Sequence, residues 1–288
     1  MNTLFLKGYS VDIKMILSDL DGTLLGHDRQ ISSYTEQVLT RAAERGVVIV
    51  PATGRFYGAM PASLRRLPFI RYAILMNGAQ VYDCAEQKVL YRAELPVEVA
   101  GRIFARLSAL PATIDCFVDD NCGYMDAYYH SRVEEWVSDL NARQIILETR
   151  QPVENLPQYI LALGKPVQKI QSFFKDIALR DRMMLELSEE FPDIAVACSL
   201  PGNLEITHRR ATKGEALRFL CDYLKIDPAQ VMAFGDERND CAMLELAGIG
   251  AAMENAVPQA KAVADIVVGA YWEDAVAHMI EEAVLQQA

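Results

Sequence analysis

The sequence is short of several features that would narrow its chemistry. Its six cysteines (Cys84, Cys116, Cys122, Cys198, Cys221 and Cys241) form no CxxC pair, and its four histidines do not cluster with them along the chain. That spacing gives no support to a zinc site. Several cysteines lie in apolar runs, where a reduced core thiol is the plain reading, so a cytoplasmic setting is expected. No apolar run is long enough to span a bilayer. The N-terminal MNTLFLKGYSVDIK carries one short apolar patch and no small-residue cleavage site, and reads as an extension before the first strand rather than a signal peptide. Positive charge is scarce as well: 28 Lys+Arg face 39 Asp+Glu, a formal charge of −11. Nucleic acid and anionic membranes are therefore poor partners. No internal repeat or low-complexity segment is present.

What remains is a chain of 288 residues, 51% of them apolar, enough for a sizeable core in one large domain or two. At both ends, strand-like and helix-like segments alternate. MILSDL is followed by a helix from Ser32 or Ser33 to about Glu44, then by the strand VVIVPATGR. AILMNGAQVYD reads as a third strand entering an Asn-Gly turn. Near the C-terminus, helix ALRFLCDYL precedes the strand QVMAFGDERND and helix CAMLELAG follows it. GIGAAM and DIVVG are short further strands, and WEDAVAHMIEEAVLQ is a closing amphipathic helix. The alternation predicts an α/β fold: a parallel, Rossmann-like sheet wound with helices on both faces.

The middle reads differently. VLYRAEL, TIDCFVDD, YMDAYY, KIQSFF, IAVACSL and LEITH resemble strands, with helical periodicity in PVEVAGRIFARLSA and DIALRDRMMLELSEEF. Turns are expected at Asp120-Asn121 and at Pro201-Gly202-Asn203. An antiparallel sheet with helices on one side follows, an α+β unit at 85–206 inserted into a core made of 1–84 and 207–288.

In open parallel sheets, ligands bind beyond the carboxyl ends of the strands. The first strand delivers Asp19 and Asp21, the second Thr53-Gly54-Arg55, the third Asn77-Gly78, and the late strand Gly235-Asp236 followed by Asn239 and Asp240. Taken singly, each has an ordinary explanation as a turn or a solvated helix cap, and Lys213 in TKGEAL alone reads as a surface lysine. Together the carboxylates crowd one end of one sheet. Like charges 4 Å apart repel by about 4 kcal/mol at a surface-like dielectric. Only Lys213 and Arg55 are at hand to offset this. A hard divalent cation resolves it, and oxygen-only ligands with room for water suit Mg²⁺ better than a Ca²⁺ cage. A Mg²⁺ site beside a hydroxyl, a lysine and open backbone amides suits a phosphoryl group.

DLDGT, ATGR, a lone lysine in TKGEAL and GDERND, in that order and with a large insertion between the second and third, resemble the haloacid dehalogenase superfamily, in its Cof-type subfamily IIB. The tail AAMENAVPQAKAVADIVV is similar to that branch too, and the resemblance runs from Met15 to near the end. It implies a Rossmann-like core, an α+β cap acting as a specificity lid, and Mg²⁺-dependent hydrolysis of small phosphorylated metabolites such as sugar phosphates or cofactor precursors. Carried over, Asp19 is the nucleophile that becomes an aspartyl-phosphate and Asp21 the general acid and base. Asp19, the Asp21 carbonyl and Asp236 hold the metal, with Asp240 nearby or bound through water. Thr53, Gly54 and Lys213 grip the phosphoryl oxygens, and Asn239 contacts phosphate or orients the site. A phosphomutase is the alternative within the superfamily; outside it stand a phospho-acceptor module and a non-catalytic sugar-phosphate sensor. The chain departs from the family in AYWEDAV, where an Asn-Asp-Glu-Asp-Gly run is usual, and in His208-Arg209-Arg210, which reads as surface charge or as a contact for an anionic substrate. Neither the cap residues that choose the substrate nor the oligomeric state is legible.

Overall fold

The first apolar run forms strand β1 (Met15–Ser18), buried on both faces as a central parallel strand must be. The computed structural model describes residues 12–118, 122–198 and 200–286. Most of the N-terminal extension and the Asp120-Asn121 turn lie outside these residues. Helix Ser33–Glu44 starts on Ser32, whose hydroxyl accepts the Thr35 N–H at 2.9 Å and so satisfies one orphan donor of the first turn. Strands β2 (Val48–Pro51), β3 (Tyr72–Leu75), β4 (Gln80–Asp83) and β5 (Lys88–Arg92) follow. The chain divides into two compact units. The first holds the described residues up to Arg55, Ala59–Tyr91 and those from Thr212 onward; the second holds Phe56–Gly58 and Arg92–Ala211. The main segment of the second unit thus starts and ends a few residues later than 85–206. β5 is the reason at the near end, because it is the outer strand of the sheet β3-β4-β5 in the first unit.

In the second unit, β6 (Asp115–Val118), β7 (Cys122–Asp126), β8 (Arg150–Val153), β9 (Lys169–Phe173), β10 (Ile194–Ala197) and β11 (Asn203–His208) form one sheet in the order β10-β11-β9-β6-β7-β8. Every pairing is antiparallel except β7 with β8. Helices Val97–Ser108, Leu156–Leu163 and Ile177–Glu190 pack Phe104, Ile160 and Leu187 against Cys116, Ile170 and Ile206. Helical cover is not confined to one face. Tyr124 belongs to this core, whereas its neighbour Met125 joins a smaller cluster with Val133, Ile146 and Phe173, as strand alternation requires.

Three segments differ from the sequence reading. YMDAYY is half strand and half helix, because the Asp126 carboxylate caps the Tyr128 N–H and turns Ala127–His130 helical. Helices Leu140–Thr149 and Leu156–Leu163 and strand β8 have no counterpart in that reading. WEDAVAHMIEEAVLQ is not one regular helix: the α-helix Ala275–Ile280 passes into a π-turn over Glu281–Leu285. Arg209 pairs with Asp193 at 3.1 Å with both side chains largely exposed, which accounts for it as surface charge.

Back in the first unit come β12 (Val231–Gly235), β13 (Ile249–Ala252) and β14 (Ile266–Val267). The main sheet runs β14-β13-β12-β1-β2, all parallel, and a bridge from Ala52 to Ile74 attaches β3 beyond β2. β1 therefore lies between the next strand of the chain and one from its far end. That reversal of strand order opens a crevice at the carboxyl ends of β1 and β12. No helix among the described residues is long and apolar enough to cross a membrane.

Candidate active site

Asp19 directly follows β1, and Asp236 directly follows β12. The two strands are paired in parallel register, Ser18 opposite Phe234, and the Asp19 N–H bonds the Phe234 carbonyl at 2.9 Å. Residues more than two hundred positions apart thus leave the sheet side by side. Asp240 arrives from the short turn after Asp236. Carboxylate oxygens of Asp19, Asp236 and Asp240 lie within 4.8 Å of one another, and all three residues are buried.

Lys213 enters this cluster from the first position of helix Lys213–Leu224, behind the Thr212 cap. A cation is badly placed at a helix N-terminus, and a fully buried lysine is rarer still. Its partners explain both. Nζ donates to Asp19 Oδ1 at 2.5 Å and to Asp240 Oδ1 at 2.6 Å. Burial alone would lower the Lys213 pKa, but the carboxylates of Asp19 and Asp240 outweigh it and hold the ammonium above its usual range. One ammonium does not serve three carboxylates. Burial pushes Asp19 up to about 8 against the pull of Lys213. Burial, with Asp240 alongside, pushes Asp236 up to about 7.

The three carboxylates are not equivalent. Asp240 is spent on structure: Oδ1 holds Lys213, and Oδ2 accepts the N–H groups of Asp236 and Glu237, each at 2.9 Å. Asp236 Oδ1 accepts the Thr23 hydroxyl at 3.1 Å, and its Oδ2 faces the Asn255 amide at 3.4 Å. Asp19 Oδ2 accepts no hydrogen bond among the described residues, because Lys213 takes only Oδ1. An all-oxygen set with an excess of negative charge fits a hard divalent cation.

Asp21 stands apart from this group. Arg55 grips its carboxylate at two points, Nε to Oδ2 at 2.8 Å and Nη2 to Oδ1 at 2.5 Å. Arg55 is fixed in turn by Nη1 donating to the Ala59 carbonyl at 2.8 Å. Thr53 is buried at the exit of β2, its hydroxyl accepting the Arg55 N–H at 3.1 Å. Gly54 lies against Asn77, so that a Cβ there would sit 2.8 Å from Asn77 Oδ1. Asn239 is exposed and donates Nδ2 to that same oxygen at 2.9 Å. So Asp19, Lys213, Asp236 and Asp240 converge, Thr53-Gly54 and Asn239 meet through Asn77, and Asp21 is held by Arg55. Sequence reasoning left out Thr23, Asn77 and Asn255 as members of the site. Asn255 lies within the MENAV tail, and Asn77 passed as an ordinary turn residue.

A family profile described as haloacid dehalogenase-like hydrolase matches residues 16–280. YxeH of Bacillus subtilis (strain 168) is 31% identical over 278 residues, covering 94% of this chain and 98% of that one. A protein of Yersinia pseudotuberculosis named HMP-PP phosphatase is 31% identical over 256 residues, covering 84% of each. Among solved structures, a haloacid dehalogenase-like hydrolase from Bacteroides thetaiotaomicron superposes with a TM-score of 0.80 at 25% identity, over 94% of this chain and 99% of that one.

Proposed function

From a chain that belongs to the haloacid dehalogenase-like hydrolases and is a phosphatase among them, we propose a Mg²⁺-dependent enzyme that hydrolyses small phosphorylated metabolites through a phosphorylated Asp19. One arrangement carries the proposal: Asp19 is anchored by Lys213 through one oxygen and keeps the other free, amid buried carboxylates. Asp19 and Asp236, with the backbone carbonyl of Asp21, would hold Mg²⁺, and Asp240 completes the acidic set while fixing Lys213. The ion would supply positive charge against a phosphate dianion and its transition state.

The remaining steps belong to the chain. Asp19 Oδ2 bonds phosphorus as the bond from phosphorus to the ester oxygen breaks. Asp21, with one oxygen released from Arg55, gives its proton to that departing oxygen. Asp21 then takes a proton from water, whose oxygen bonds phosphorus as the Asp19–phosphorus bond breaks. Inorganic phosphate leaves and the Asp19 carboxylate is restored. Lys213, the Thr53 hydroxyl and the amides about Gly54 stabilise the phosphoryl oxygens, where preorganised donors are worth most. The inserted second unit selects the substrate. The charge of −11 and the free Cys84, Cys116, Cys198, Cys221 and Cys241 suit a cytoplasmic enzyme of small solutes.

The test is phosphate release over a metabolite panel, with and without Mg²⁺, repeated with Asp19→Asn. Sugar phosphates belong in the panel, as does HMP-PP, for which the Yersinia relative is named. Metal-dependent turnover lost in the folded variant is expected. Undiminished turnover by the variant would remove Asp19 as nucleophile.

A further inference from the structure

The turn between β3 and β4 has a backbone that ordinary residues avoid. Met76, Asn77 and Gly78 take φ of 52°, 58° and 99° in succession. Glycine and asparagine tolerate the left-handed region, but a buried methionine does not adopt it without support from its surroundings. The turn spans the four residues between the paired Leu75 and Gln80, and three of them in succession are left-handed. Strain of this kind persists where surrounding contacts over-determine it, and those contacts point to its purpose.

Here they all lead to the proposed phosphoryl site. The N–H of Asn77 bonds the Thr53 carbonyl, and the N–H of Met76 bonds the Arg55 carbonyl, each at 3.0 Å. The turn therefore clamps the Thr53-Gly54-Arg55 loop from both sides of Gly54. Asn77 Oδ1 also accepts from Asn239, on the loop after β12. Gly78 lies so close to the Thr212 carbonyl that a Cβ would collide with it, and Thr212 caps the helix that begins with Lys213. One turn thus touches three segments that reach the site from separate parts of the chain.

We infer that Asn77 is a positioning residue of the phosphoryl-binding site, setting Asn239 against the Thr53-Gly54 loop so that both meet the same group. The left-handed turn serves as the brace that holds the two halves at fixed separation. The inference takes the identity of the ligand, a phosphoryl group, from the proposed function.

The test uses inorganic phosphate as probe, with Asn77→Gly, Asn239→Ala and the double variant. Glycine accepts φ of 58° without strain, so Asn77→Gly removes the amide and spares the fold; its melting temperature should match or exceed that of the wild type. Loss of a hydrogen bond that orients a donor should weaken phosphate binding about tenfold and raise KM more than it lowers kcat. Because Asn77 acts through Asn239, the double variant should bind phosphate no more weakly than Asn239→Ala alone. Unchanged phosphate affinity in Asn77→Gly, or losses that simply add, would overturn the inference. So would failure of Asn77→Gly to fold, since the amide would then be serving the fold. Absence of turnover in the wild type would count against the proposed function only, because the binding cycle reads the coupling without catalysis.

Discussion

Arg55 holds both carboxylate oxygens of Asp21 while Asp21 stays outside the Asp19–Lys213 cluster. Two aspartates one residue apart are thereby given different surroundings, Asp19 inside a buried acidic group and Asp21 half-exposed and paired with Arg55. Separate environments are what let neighbouring carboxylates take separate roles.

If Asp21 protonates the departing oxygen, its value depends on how much that oxygen needs a proton. Asp21→Asn should lower kcat by about 10²–10⁴-fold on a sugar phosphate, the usual range for general acid catalysis. The loss should be much smaller on p-nitrophenyl phosphate, whose phenolate leaves unprotonated. Arg55→Ala should follow the same order of substrates with a smaller effect, about tenfold, because it disturbs the orientation of Asp21 without removing it. Equal losses on both substrates would detach Asp21 from proton transfer.

Metal-free stability should fall as pH rises. The Asp19 and Asp236 carboxyls are raised to about 8 and about 7 by burial, whereas unfolded aspartate titrates near ~3.9. A raised carboxyl favours folding fully below the unfolded pKa, and that contribution drains away as pH climbs through the folded pKa. The window is therefore about pH 4 to 8. Thermal melts in chelator should show a declining melting temperature across its upper half. The gain on adding Mg²⁺ should be larger at pH 8 than at pH 5, since the ion replaces the protons. A metal effect that shrinks with rising pH would contradict this account of the cluster.

Lys213 is the cation that the cluster contains on its own. Removing one partner of a buried ion pair strands the other, at about 3–5 kcal/mol. Lys213→Met should lose about that much in urea unfolding with chelator present above about pH 8, where the carboxyls of Asp19 and Asp236 are ionised. Mg²⁺ should return part of it, because a bound cation offsets the same surplus of carboxylates. A variant as stable as the wild type without metal would mean that the carboxylates are already neutral.

Part of this site was legible because certain residue types stand where stability alone would not put them. Asp19 and Asp21 end an apolar strand, a placement that costs energy unless distant residues compensate; Lys213 alone reads as a surface lysine and joins the site only as a charge to offset the carboxylates and through the family resemblance. The strand alternation puts the exits of Asp19, Asp21 and Asp236 at one end of one sheet, while the pairing of β1 with β12 is supplied by the fold. Asn77 and Asn255 gave no such sign, since asparagine in a turn is ordinary and its amide acts only through neighbours that folding supplies. Asp240 reads as a carboxylate near the metal or bound to it through water; the sequence does not foretell its contacts with Lys213 and two backbone N–H groups. Likewise, the helix at Ala127–His130 depends on one capping contact from Asp126, which the aromatic strand-like pattern of YMDAYY concealed. Helix Leu140–Thr149 buries only Ile146, too little apolar periodicity to stand out.

Gly22 offers a test that separates backbone strain from the geometry of the metal ligands. Its φ is 84°, and a Cβ would fall on Asp236 Oδ2. Gly46 has the same φ of 84° but open space around the position a Cβ would take. Alanine at either site pays for a left-handed backbone, about 1–2 kcal/mol, and denaturant unfolding with chelator should show a loss of that order in both variants. Only Gly22→Ala also drives Asp236 from its place between Thr23 and Asn255. Calorimetric titration should then find Mg²⁺ affinity reduced at least about tenfold, the equivalent of 1.4 kcal/mol, in Gly22→Ala and unaltered in Gly46→Ala. Wild-type metal affinity in Gly22→Ala would show that Asp236 does not hold the ion. Joint loss in both would show that affinity follows global stability instead of the placement of one carboxylate.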